Sequence, residues 1–90
     1  MTRDEILDTA KSLINGDRAA TYGDSRSMHQ TIAEMWSAIL NVEISATQAA
    51  LMMAALKLAR AAAHPEHEDN WVDAAGYIAL AGEMAGETPK

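Results

Sequence analysis

Cysteine is absent from the 90-residue chain. Disulfides and thiolate metal sites are therefore excluded, and the redox compartment is constrained only to the extent of fitting a cytoplasm. Phenylalanine is absent as well. An apolar core must come from Leu, Ile, Met and Ala, which suit close helix packing better than a sheet. Base is scarce: seven Lys and Arg stand against 13 Asp and Glu, for a net charge of -6. That balance argues against general DNA or RNA binding, which needs a basic surface to displace counterions. A helix-turn-helix reader is disfavoured too, since the candidate recognition helices are apolar or acidic. The opening MTRDEILDTAK carries acids where a signal peptide has a basic flank and an apolar stretch. No run is long and apolar enough to span a bilayer comfortably. The expectation is a soluble, cytoplasmic protein forming one domain over residues 1–90.

What is present is helix. Hydrophobic residues make up 49% of the chain, too many for disorder. Residues 3–15 open with a Thr2–Glu5 capping box, and Ile6, Leu7, Ala10, Leu13 and Ile14 follow at helical spacing before Gly16. Residues 26–40 form a second helix, capped by Asp24 or Ser25. Its apolar stripe is Met28, Ile32, Met35, Trp36, Ile39 and Leu40, with His29 at the edge. Residues 46–63 form a third, opened by a Ser45–Gln48 capping box. Pro65 prevents its continuation. The fourth covers residues 71–85, capped by Asp69 or Asn70, with Asp73, Tyr77, Leu80 and Met84 on one stripe. Gly76 in its interior suggests close approach by another helix or a ligand. The fold expected is all-α: about four helices in a compact bundle completed by oligomerisation.

The third helix organises the rest. Leu51, Ala55, Leu58 and Ala62 form one apolar row, and Met52, Leu56, Ala59 and Ala63 the next. Its two charged residues, Lys57 and Arg60, lie opposite on a face otherwise small and apolar. A helix apolar nearly all round is usually buried. A chain of this size buries only roughly 60–65% of its unfolded surface. A homo-oligomer, dimer or tetramer, through the third helix is therefore expected.

A short loop makes the third and fourth helices antiparallel neighbours. Lys57 and Arg60 then lie near Asp69 and Asp73. Two readings follow. Lys57 and Asp73 can form a structural ion pair that only specifies packing. Alternatively, Lys57, Arg60, Asp73 and Tyr77 line a polar ligand pocket, joined by Arg18 and Tyr22 from the GDRAATYG loop, with Asp69 and Asp73 as weak magnesium ligands. His64 and His67 flank Pro65 without further ligands at metal spacing, and read as a solvated loop.

The chain resembles a set of small phage and prophage helical proteins of unknown function. The resemblance covers nearly the whole chain. It rests on Gly16-Asp17-Arg18, Tyr22-Gly23-Asp24, Trp36, Met52-Met53 through Lys57-Leu58-Ala59-Arg60, and Asp69-Asn70-Trp71-Val72-Asp73-Ala74-Ala75-Gly76-Tyr77. A broader similarity runs to nucleotide-modification-associated phage domains and MazG-like nucleotide pyrophosphohydrolases. That similarity implies an all-α oligomer that binds nucleotide with magnesium. The hydrolase pattern itself is incomplete. It needs E-x-x-E and E-x-x-D, because magnesium and a triphosphate require several converging oxygens. Here the second helix offers only Glu34, the third has no acid, and Asn70-Trp71-Val72-Asp73 stands where E-x-x-D would align. The catalytic residues are therefore unassigned. The competing functions are a nucleotide- or phosphate-binding protein with degenerate or absent hydrolase activity, and a non-enzymatic oligomer whose ionic residues only pack.

Overall fold

The computed structural model describes residues 1–16 and 25–87. Four helices follow in order: α1 (Arg3–Asn15), α2 (Ser25–Leu40), α3 (Ala46–Ala63) and α4 (Glu68–Glu87). No strand occurs among the described residues. Both capping boxes form. The Thr2 hydroxyl accepts from the Glu5 N–H while Glu5 accepts from the Thr2 N–H, and Ser45 and Gln48 do the same. Each box satisfies two backbone donors that a helix start leaves unpaired. α1 stops at Gly16, where an added Cβ would fall 2.5 Å from the Ser12 carbonyl oxygen.

α3 and α4 pack along one another most extensively; α1 lies across α4 and α2 lies against α3. The α2–α3 link is held by Ser37. Its hydroxyl donates to the Ala33 carbonyl at 2.6 Å and accepts from the Ile44 N–H at 2.8 Å. Asn41 takes φ 55 in this link, a left-handed conformation that Asn tolerates better than most residues.

α4 begins three residues before the expected start. Asp69 and Asn70 are therefore in its first turn rather than at its cap. The turn is prepared by the His67 N–H bonding the His64 carbonyl and the Asn70 N–H bonding the His67 carbonyl. Gly76 is buried, and a Cβ there would come within 3.3 Å of the Ile14 side chain. Close approach by α1 thus explains a residue that costs about 1 kcal/mol in a helix interior relative to Ala.

The interior is made of small side chains. Among the described residues the buried apolar set is Ala10, Ala33, Ala49, Ala50, Ala54, Ala61, Val72, Ala74, Ala81 and Met84. Eight of these ten are alanine, so helix backbones approach closely and each contact removes little area.

Two faces differ from the sequence expectation. On α2, the Met28, Met35, Ile39 and Leu40 stripe is exposed, with Ile39 at 75%. His29 and Ala33, both at 0%, face inward. The histidine read as an edge residue is instead a core residue, packed edge-on against Tyr77 with ring centroids 5.9 Å apart and an interplanar angle of 80°. On α3, the side carrying Ala50, Ala54, Lys57 and Ala61 is the inner one, while Leu51, Met52, Leu56 and Leu58 are exposed. The physical reason is size. Alanine faces on two neighbouring helices mesh at short range, where leucines would hold the backbones apart.

Candidate functional site

The C-terminal end of α3 and the first turns of α4 enclose a notch of about 500 Å³. It is lined by Lys57, Arg60, Glu66, His67, Glu68, Asp69, Asn70 and Asp73. The His64–His67 link returns the chain so that the last turn of α3 stands beside the first turns of α4. Lys57 and Asp73 meet in the notch wall, with Nζ to Oδ2 at 3.0 Å and the side chains 18% and 15% exposed. This is the closed ion pair that the spacing allowed. Both charges are largely withdrawn from water, so each depends on the other.

Arg60 and Asp69 are exposed in the same notch. Neither forms an ion pair among the described residues. Four of the expected site residues, Lys57, Arg60, Asp69 and Asp73, are therefore brought together. Tyr77 is not among the lining residues; it lies one turn beyond Asp73, against His29. Arg18 and Tyr22 lie outside the described residues, as does Asp24.

Asn70 was overlooked as a site residue. It is only 6% exposed, yet it lines the notch. Its spacing from Asp73, i to i+3, places the two on one helix face. That was the available signal; it was obscured by reading Asn70 as a cap.

The lining has four carboxylates, from Glu66, Glu68, Asp69 and Asp73, and two cations, from Lys57 and Arg60. Glu68 and Asp69 occupy the first turn of α4, where they offset the positive end of the helix dipole. His64 and His67 stay exposed, stacked at 5.5 Å, with Glu66 at 3.5 Å and 3.8 Å from their nitrogens.

Asp69 and Asp73 do not suit a magnesium site built from protein oxygens. Asp73 is held by the Lys57 ammonium. Among the described residues, no group of three or more His, Asp or Glu side chains is arranged to hold a metal.

An all-α arrangement of four helices, with a polar notch at one end and no helix long and apolar enough to cross a membrane among the described residues, defines a small helical class. Within that class the chain belongs to the family described as domain of unknown function (DUF6378), whose model matches residues 5–85. It is 42% identical over 80 residues to the Gene 55 protein of Mycobacterium phage L5, an alignment covering 88% of this chain and 51% of that protein. It is 38% identical over 74 residues to the Gene 55 protein of Mycobacterium phage D29, covering 82% of this chain and 49% of that protein. The chain thus spans about half the length of these curated relatives. No solved structure matches it. The resemblance to small phage proteins is upheld at the level of family; the wider similarity to MazG-like hydrolases finds no support among these matches.

Proposed function

We infer that the protein works as a self-assembling helical module, with a second copy covering the outer face of α3. The observation that carries this reading is the bare arc formed by Leu51, Met52, Leu56, Leu58 and the alanines between them. Monomers rarely leave a large contiguous apolar patch in water. Each of these four side chains is 41–51% exposed, so covering one is worth about 1 kcal/mol by area.

A second copy fits the patch better than a charged partner. Each chain carries a net charge of -6, so copies repel unless they meet on a surface without charge. The outer arc of α3 carries none. Its large residues alternate with Ala55, Ala59 and Ala62, giving projections and recesses on one surface, as a self-complementary contact requires. Sedimentation over a range of concentrations tests this. The expected result is a dimer or tetramer that Leu51→Glu with Leu58→Glu converts to a folded monomer. A wild-type chain that stays monomeric at high micromolar concentration overturns it.

A second reading is favoured by the notch. Lys57, Arg60, Asp69 and Asp73 converge there. In this reading the protein binds a nucleotide or another phosphate-bearing small molecule, with Lys57, Arg60 and Asp73 contributing and Arg18 and Tyr22 supplied by the preceding loop. The reading concerns binding without hydrolysis, because Asp73 alone stands for the expected carboxylate set. Any magnesium would arrive with the ligand's phosphates. Isothermal titration with a nucleotide panel, with and without magnesium, tests it, and no heat at millimolar ligand sinks it.

A further inference from the structure

We propose that the apolar stripe of α2 is a second contact between copies of the chain, in which two α2 helices pair antiparallel across a two-fold axis. This rests on the self-assembly reading above and extends it: α3 joins copies into dimers, and α2 joins dimers into a tetramer. Met28, Ile32, Met35 and Ile39 recur at intervals of four, three and four residues, the spacing that keeps one seam turned toward a partner helix. Ile39 is 75% exposed and Met35 60%.

Register and charge make the occupant a second α2. Turned antiparallel, the seam matches itself: Met28 faces the partner's Ile39, and Ile32 faces the partner's Met35. Each layer sets a flexible Met against a branched Ile, the self-complementarity that a two-fold contact requires. Copies of net charge -6 meet most easily where charge is absent. Thr31 and Ala38 border the seam. Arg26 and Glu34 lie on the other side of α2, where Arg26 bonds Glu87 and Glu34 accepts from Gln30.

The area required also favours two contacts. The large residues of the α3 arc, each about half exposed, leave on the order of 300 Å² to cover, short of the roughly 800 Å² per partner of a standard interface. The α2 seam adds a comparable amount. So short a seam does not by itself offset the freedom lost on association. Once α3 has joined two copies, their seams act together.

The absence of cysteine allows a register test in the full chain. Met28→Cys and Ile39→Cys are made singly and in one chain, their folds are checked by circular dichroism, and each sample is treated with a short thiol cross-linker. The double variant is expected to give linked dimers and the single variants none, because identical positions stand about 16 Å apart along an antiparallel pair. Sedimentation should give tetramers for the wild type and dimers for Ile39→Glu. An unlinked double variant, linked single variants, or tetramers that survive Ile39→Glu overturn the proposal. A wild type that stops at dimers ends the α2 contact alone; one that stays monomeric ends the α3 reading with it.

Discussion

The two faces of α3 are opposites. The inner one, with Ala50, Ala54, Lys57 and Ala61, is small, carries a charge, and is packed against the rest of the chain. The outer one, with Leu51, Met52, Leu56 and Leu58, is large, uncharged and exposed. Hydropathy alone would assign them the other way round. The difference shows that size decides the intramolecular contact, because meshed alanine faces let helix axes come close. Lys57 is admitted to the inner face because Asp73 meets it there. The large residues are left on the outer face.

The most damaging way to break this comparison is to enlarge the inner face. Ala54→Leu, at a site 3% exposed, adds volume where there is no room. Overpacking a tight core costs about 1–3 kcal/mol and occasionally more, and thermal denaturation should show the largest drop of the series. The same exchange at Ala55, one residue along on the exposed side, should leave the fold of the monomer intact and act on the sedimentation profile instead.

Next is the ion pair. Asp73→Ala leaves the largely buried Lys57 ammonium without its partner. The expected loss is about 2 kcal/mol, below the roughly 3–5 kcal/mol of a fully buried pair because both side chains retain some exposure. Lys57→Met with Asp73→Leu should recover most of it, and Lys57→Met alone should still fold. Chemical denaturation of the three variants checks this. If all three match the wild type, the pair contributes nothing to the inner face.

On the outer face, Leu58→Glu should shift the folding free energy of the monomer by no more than about 0.5 kcal/mol, as expected of surface changes. Its effect belongs to the sedimentation profile. A large loss of monomer stability would show that the two faces are less distinct than their exposure implies.

The smallest effect concerns pH. Glu5 has its carboxyl pKa lowered by hydrogen bonds from the Thr2 backbone and then its side chain. A lowered folded-state pKa means the carboxylate stabilises α1 above the ordinary Glu value. That contribution is lost as pH falls through the lower, folded value. Glu5→Gln should therefore flatten a slight loss of α1 helicity below about pH 4.5, the ordinary range for Glu, followed by amide exchange. An unchanged acid profile would remove the capping carboxylate from the account.

Much of this was legible before the fold was known. The bounds of α1 and α3 follow from capping boxes, which are interactions within four residues, and the Lys57–Asp73 pairing follows from two antiparallel helices joined by a short link. The rotation of α2 was not legible. Met28, Met35 and Ile39 mark an apolar stripe correctly, but a stripe does not say whether its cover comes from the same chain. His29 reads as a surface residue until Tyr77 is placed beside it. Asn70 reads as a cap until α4 is seen to start at Glu68.

The sequence by itself determined the helical class, the helix starts at Thr2 and Ser45, the acidic balance and the residues able to meet at the α3–α4 turn. These depend on local propensity, short-range hydrogen bonds and composition. Only the tertiary structure decided which face of α3 turned inward, that His29 is core, and that Asn70 is buried beside the ion pair. Those outcomes depend on how closely two particular surfaces can approach. That is a property of pairs of helices, which no periodicity within one helix contains.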